Sequence, residues 1–350
     1  MSRRKKPAEG PIEAYLNDLH RRVGLVTGGA VATYIPELAK ADPRLFGIAI
    51  ATTDGKVYTA GDALHEFTIQ SVSKPFAYGY ALQEYGREAV LSRVGVEPTG
   101  EAFNSIVLDE AHNRPYNPMV NTGAIATVEM YNGATPEARR REMLACLSKF
   151  AGRTLSIDAA VYQSEKATGH RNRAIAYMML NSGMIRREPE DLLDLYFQQC
   201  AVLVNCKDLA LMAATLANGG VNPATGKRAM DDEHVHDVLT VMNTCGMYNY
   251  AGQWSYEIGM PAKSGVAGSI IAIIPGQAGI AIFSPPIDPN GNSVKGVAAC
   301  RMIAEEFGLH LFRTAPNARA VLRREYSGAI VRSKRVRTLE ERKYLDAQGE

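Results

Sequence analysis

The sequence predicts an α+β fold, an antiparallel sheet flanked by terminal helices and interrupted by an inserted all-helical lobe. Three observations predict it. A helix and a hairpin open the chain, residues 87–220 look mainly helical, and apolar strands followed by one last helix close it. With 350 residues, 46% of them hydrophobic, the chain can bury a large core, and a globular enzyme is the default class.

The elements follow in order. Ile12, Leu16, Leu19 and Val23 form one apolar stripe, so Pro11–Val23 is a helix. Leu45–Thr52 and Val57–Ala60 flank Thr53-Asp54-Gly55-Lys56, a hairpin with an Asp-Gly turn. Phe67-Thr68-Ile69 reads as a strand running into a helix that carries Ser71 and ends near Tyr85, at Gly86. Apolar periodicity then predicts helices over Ala138–Phe150, Arg173–Leu180, Glu188–Cys200 and Lys207–Ala217. Asn218-Gly219-Gly220 supplies the left-handed stop of the last. A helix over Asp231–Cys245 precedes strands over Tyr256–Ser264, Ser269–Ile274 and Gly279–Phe283, with Pro275-Gly276 as a turn. A final helix covers Val297–Leu311. The expected division is a basic tail at 1–10, a body at 11–312 and a basic tail at 313–350. Within the body, an α/β lobe takes about 11–70 and 221–312, and a helical lobe about 71–220. The cleft between lobes is a natural ligand site.

Charge and cysteines narrow the function classes. The formal charge is +2, yet residues 313–350 hold ten Lys/Arg against five Asp/Glu, so the remainder is net acidic. Basic character is confined largely to that tail and to Arg3-Arg4-Lys5-Lys6, which argues against a nucleic-acid partner and for a linker or interaction tail. Cys146, Cys200, Cys206, Cys245 and Cys300 are odd in number, form no C-x-x-C and mostly lie in apolar stretches. Reduced core cysteines in a cytoplasmic protein are expected. No apolar segment follows the basic start and no apolar run approaches ~20 residues, so neither export nor a membrane span is expected.

The chemistry centres on Gln70-Ser71-Val72-Ser73-Lys74-Pro75. Three residues apart on a helix is one face, so the Lys74 amine can reach the Ser71 hydroxyl. A serine needs a base to become a nucleophile. A lysine serves only if its pKa falls from its reference of about 10.4, and ~3 units cost ~4 kcal/mol, to be supplied by burial or a neighbouring cation. Free N–H groups at the helix start favour a developing oxyanion. Alone, Ser-x-x-Lys reads equally as a helix cap plus a solvated lysine. A second motif, Lys263-Ser264-Gly265, lies before the apolar run Ser269–Pro275. That pairing belongs to the serine β-lactamase and penicillin-binding-protein superfamily.

Many further stretches match in order. They include Tyr34-Ile35-Pro36, Asn117-Pro118-Met119-Val120-Asn121, Ser164-Glu165, Arg171-Asn172, Tyr196-Phe197-Gln198, Leu216-Ala217-Asn218-Gly219-Gly220, Cys245-Gly246-Met247-Tyr248, Pro261 through Gly268, and Gly291 through Gly296. On these the chain resembles the serine-dependent glutaminases, over roughly residues 10–312. The resemblance implies a β-lactamase-like fold, hydrolysis of L-glutamine to L-glutamate and ammonia, no cofactor, and a homodimer or homotetramer. It implies Ser71 as nucleophile, Lys74 as general base, and Tyr248, with Tyr196, as aids to proton transfer. The N–H groups of Ser71 and Val266 would form the oxyanion hole. Tyr34, Gln70, Asn121, Glu165, Asn172 and Tyr196 would hold the amino-acid end of the substrate.

Blander readings stand beside these. Glu165 reads as an exposed helix carboxylate, the three tyrosines as core aromatics, and Asn121 and Asn172 as caps or turn residues. Lys263 reads as a snorkelling surface lysine or as the cation that depresses the Lys74 pKa. His234 and His236, beside Asp231, Asp232 and Glu233, do not share a helix face, so no metal is expected. Gly28-Gly29 lacks a dinucleotide-binding pattern. Two rival functions remain: a β-lactamase or penicillin-recognising peptidase, which the missing Ser-Asp-Asn triplet and export signal disfavour, and a non-catalytic amino-acid binder.

Overall fold

A computed structural model describes residues 10–101, 105 and 107–313. The chain opens with α1 (Pro11–Gly24) and the hairpin β1 (Gly47–Thr52) and β2 (Val57–Gly61). After β3 (Phe67–Thr68) come a 3-10 turn (Gln70–Ser73) and α2 (Lys74–Leu91). The helical stretch continues with α3 (Asn121–Val128), α4 (Pro136–Ala151), α5 (Ala159–Thr168), α6 (His170–Asn181) and α7 (Pro189–Cys200). Then follow β4 (Leu203–Val204), α8 (Cys206–Ala217), α9 (Asp232–Cys245) and α10 (Ala251–Glu257). The strands β5 (Ala262–Gly265), β6 (Ser269–Ile274) and β7 (Ala278–Phe283) precede α11 (Val294–Phe307).

Five strands form one antiparallel sheet in the order β2-β1-β7-β6-β5. Its two faces meet different partners. Ile48, Ile270, Ile280 and Ile282 pack with Leu16, Leu19, Trp254 and Ile303 of the flanking helices α1, α10 and α11. Ala49, Ile271, Ile273, Ala281 and Phe283 face the helical lobe. Burial on both faces explains why β6 and β7 are continuous apolar runs without alternation. Each buried isoleucine contributes ~1.5–3 kcal/mol of transfer free energy. Helix α8 lies directly on the sheet. A Cβ at Gly279 would stand 2.2 Å from Ala214 N and 2.5 Å from Ala210 O, so only glycine allows that approach.

The antiparallel sheet, terminal helices and helical insert are as predicted, with instructive differences. The expected strand over Tyr256–Ser264 is only β5; Tyr256 lies in α10, whose Trp254 is fully buried and donates its indole N–H to Met260 O at 2.7 Å. The last helix starts earlier and ends at Phe307, because Gly308 adopts a left-handed conformation (φ 62°). Ser71 sits in a 3-10 turn, where residues three apart eclipse one another, so its common face with Lys74 persists. Helical bonding resumes beyond Gly86, but the chain breaks there (φ 77°, ψ 163°), where the helix was expected to stop. Strand β3 pairs with β4 from the insert, not with the main sheet (Phe67↔Val204, Thr68↔Leu203). All five cysteines are free and buried. The tails expected at 1–10 and 313–350 lie outside the described residues except at Gly10 and Arg313.

Candidate active site

The β3–β4 ladder and the Ile69 N–H, which donates to Val202 O at 2.8 Å, pin the start of the Ser71 turn to the end of the helical insert. On its other side, β5 lies close. A Cβ at Gly265 would meet Val72 Cγ2 at 3.1 Å and Ile69 O at 3.2 Å. Ser71 is thereby held between the insert and the sheet edge. Gln70, just before it, takes a left-handed φ of 47°, and Tyr248 one of 58°. Such residues cost about 1–3 kcal/mol each and persist only where surrounding contacts impose them. Here Ser73 Oγ donates to Gln70 O at 2.7 Å, Gln199 Nε2 donates to Ser73 Oγ at 3.1 Å, and Gln70 Nε2 donates to Thr68 Oγ1 at 3.2 Å.

Lys74 begins α2 and is 1% exposed. Its amine donates to Asn121 Oδ1 at 2.7 Å and to Met119 O at 3.2 Å. Burial lowers its pKa to about 8, against the pull of Cys200 and Glu165. The shift that the motif requires is therefore present, and desolvation supplies it. Lys263 is also fully buried, contrary to its reading as a surface lysine. Its amine donates to Ser264 O at 2.6 Å and stands 3.9 Å from the centroid of the Tyr248 ring. Burial, and then the charge of Lys74, holds its pKa well below the usual lysine range. The two buried lysines thus disfavour each other's charge.

The Ser71 hydroxyl is hydrogen-bonded to Tyr248, whose own O–H donates to Ser264 O at 2.7 Å. Burial raises the Tyr248 pKa despite that bond, so the phenol stays protonated. Val266 follows β5 in a three-residue connection closed by Gly268 N donating to Gly265 O at 2.9 Å.

The polar residues expected around a ligand converge on the same place. Asn121 Nδ2 donates to Asn172 Oδ1 at 2.9 Å, and Tyr196 Oη to Asn121 Oδ1 at 3.3 Å. Glu165, on α5, is only 6% exposed, which removes the exposed-carboxylate reading. Burial raises its pKa to about 8; hydrogen bonds from Gln70 and Cys200 oppose the shift. Tyr34 is 51% exposed as a residue, and burial around its hydroxyl, followed by the nearby Glu165 carboxyl, raises its pKa. Ser71, Lys74, Gln70, Asn121, Glu165, Asn172, Tyr196, Tyr34 and Tyr248 are linked in this way. Val266 stands at the sheet-edge side.

A model of the family described as glutaminase matches residues 29–312. The chain belongs to the glutaminase family. The glutaminase of Trichormus variabilis is 58% identical over 302 residues, covering 86% of this chain and 90% of that protein. Glutaminase 1 of Bradyrhizobium diazoefficiens is 47% identical over 345 residues, 98% of this chain but 56% of the relative. Among solved structures, "Mglu in its glutamate form" superposes with a TM-score of 0.84 at 46% identity, covering 88% of this chain and 71% of that one. A probable glutaminase, ybaS, gives 0.84 at 39%, covering 86% and 98%. The β-lactamase-like fold expected from the motifs is the fold of these glutaminase neighbours, and the chain is an enzyme of the glutaminase class.

Sequence reasoning missed several members of the site. Cys200 contacts Glu165 and Tyr196, and Met119 contributes a carbonyl to Lys74. Cys200 falls four residues after Tyr196 on α7, so helical spacing alone placed it on the same face. Among the described residues no helix is long and apolar enough to cross a membrane, and no group of His, Cys, Asp and Glu is arranged to hold a metal ion.

Proposed function

We propose that the protein hydrolyses L-glutamine to L-glutamate and ammonia through a glutamyl-Ser71 ester. The observation that carries this reading is the buried Lys74 amine, one turn from Ser71, with its pKa lowered to about 8. At mildly alkaline pH a large fraction of that amine is neutral and can accept the Ser71 proton as the hydroxyl attacks the side-chain carbonyl. The N–H groups of Ser71 and Val266 receive the oxyanion; one such donor is worth ~3–4 kcal/mol in the transition state. The raised pKa of Tyr248 suits it to give a proton to the departing nitrogen and not to take one from Ser71. Tyr196 orients Asn121 and, through it, Lys74. The proton that Lys74 took then passes to the Tyr248 phenolate, and the neutral Lys74 deprotonates the water that releases glutamate, that proton returning to Ser71. The reaction needs no metal or organic cofactor.

The rest of the cluster suits an amino acid. Glu165 answers the ammonium; the amide N–H groups of Asn121 and Asn172 and the Tyr34 hydroxyl supply donors for the carboxylate, while Tyr196 spends its proton on Asn121; Gln70 holds Glu165. A plain amide would leave these groups unpaired, so it is rejected. We further propose a cytoplasmic homo-oligomer, dimer or tetramer. A coupled assay for ammonia and glutamate on wild type and Ser71→Ala tests the core of this reading. Wild type should release both products in equal amounts and Ser71→Ala essentially none; near wild-type turnover by the variant overturns the nucleophile.

A further inference from the structure

We infer that Ser73 and Gln199 are positioning residues for the proposed oxyanion hole: together they set the plane of the Gln70–Ser71 peptide and so aim the Ser71 N–H. This rests on the glutamine reading above.

The carbonyl oxygen of Gln70 and the N–H of Ser71 belong to one peptide unit. No peptide bond among the described residues is cis, so this unit is a trans plane whose C=O and N–H point in opposite directions. Ser73 Oγ donates to Gln70 O at 2.7 Å and fixes one side of the plane. The Ser71 N–H on the other side is thereby turned away from Ser73. Gln70 holds a left-handed φ of 47°, which a residue with a side chain keeps only under imposed contacts. Released from Ser73, the peptide is free to turn and take the N–H with it. A serine hydroxyl rotates to suit its surroundings, so it needs a setting of its own. Gln199 Nε2, from α7, donates to Ser73 Oγ at 3.1 Å, which fills an acceptor site there and leaves the proton for Gln70 O. Ser73 and Gln199 are both fully buried, so bulk water competes for neither bond. Such a chain of bonds also polarises the peptide and strengthens its N–H as a donor. The same end of α7 grips the turn just before Gln70, where Ile69 N donates to Val202 O at 2.8 Å. Gln199 Oε1 is buried without a hydrogen-bond partner. An amide left half-paired adds little to stability, and among the described residues its side chain bonds only to Ser73.

The test compares wild type, Ser73→Ala, Gln199→Leu and the double variant by steady-state glutamine hydrolysis, calorimetry with L-glutamate and thermal unfolding. Ser73→Ala should lower kcat about tenfold, a partial form of the loss seen when an oxyanion donor is removed outright. Leucine fills similar space without an amide, and Gln199→Leu should lower kcat about threefold. The double variant should match Ser73→Ala, because Gln199 acts through Ser73. KM and L-glutamate affinity should stay within about twofold of wild type throughout, since the loss falls on the transition state. The Tm of Gln199→Leu should equal or exceed that of wild type. Unchanged kcat in Ser73→Ala overturns the assignment. So do losses that multiply in the double variant, a matching loss of L-glutamate affinity, or a lowered Tm in Gln199→Leu. Should Ser73→Ala fail to fold, Gln199→Leu decides alone, and an unchanged kcat there overturns the assignment. A wild type that releases no ammonia from glutamine removes the hydrolase reading and this assignment with it. An active wild type with unaffected variants removes this assignment alone.

Discussion

Lys74 and Asn121 share a 2.7 Å hydrogen bond that ties the proposed base to the proposed substrate cradle. Asn121 Oδ1 accepts from Lys74 and Tyr196, while Asn121 Nδ2 donates to Asn172. One side chain thus orients the amine and organises the donors for the substrate carboxylate. Asn121→Ala should therefore damage both steady-state constants. We expect KM to rise and kcat to fall, each about tenfold or more, in line with ~1–3 kcal/mol for a lost bond to a charged group. A change in KM alone, measured by ammonia release, would remove Asn121 from the base.

The two buried ionisable groups give a definite pH dependence. Lys74 must be neutral to act, and its pKa is about 8. Glu165 must be ionised to meet an ammonium, and its pKa is also about 8. Both groups lose a proton as the pH rises, so kcat/KM should increase with pH and level off above about 8. Below it, the logarithmic slope should approach two, and the apparent values belong to the pair. Glu165→Gln should retain a slope near one on its residual activity. A wild-type profile flat between pH 6 and 9 would contradict the assignment of Lys74.

Much of this arrangement is legible in the sequence because it is local. Ser71 and Lys74 lie three residues apart, and α1, α4, α7 and α8 declare themselves by apolar periodicity. What is illegible depends on distant packing. The two-residue ladder β3–β4 is too short for any alternation. Tyr256 to Ser264 reads as one strand because Tyr256, Ile258, Met260 and Ala262 fall at every second position, and only the burial of Trp254 separates the end of α10 from β5. Lys263 has a charged side chain, which in a sequence means surface. Its strand forms the sheet edge that faces the Ser71 turn, and the lysine lies under a tyrosine ring. Cys200 is hidden for the opposite reason, since a cysteine on an apolar helix face reads as core.

The raised pKa of Glu165 also predicts an exchange of stability for function. An unfolded glutamate ionises near 4.5, whereas the folded one keeps its proton until about 8. The native state binds more protons between those values, so stability falls as the pH rises through that window. The conversion of ~1.4 kcal/mol per unit gives a ceiling of ~5 kcal/mol. Glu165→Gln removes the penalty. It should gain on the order of 1–3 kcal/mol over wild type at pH 9 in urea unfolding. Near pH 5 the gain should shrink toward zero. Equal gains at both pH values would mean that ionisation of Glu165 is not the source.

The turn that carries Val266 depends on Gly268. Its φ is 100°, and a Cβ there would stand 2.2 Å from Ser284 O and 2.6 Å from Pro285 Cα, both backbone atoms that cannot swing aside. Gly268 N donates to Gly265 O and Gly268 O accepts from Ser284 N, each at 2.9 Å, so the turn is fixed against the end of β7. In Gly268→Ala the turn must lift away from that strand and carry the Val266 N–H with it. We expect kcat to fall ~100-fold, comparable to the loss of one oxyanion donor, with KM changed far less. Stability should drop as well, by ~1–3 kcal/mol, for a side chain forced into a left-handed conformation. Full kcat in a destabilised but folded variant would separate the turn from catalysis and leave Val266 without its role.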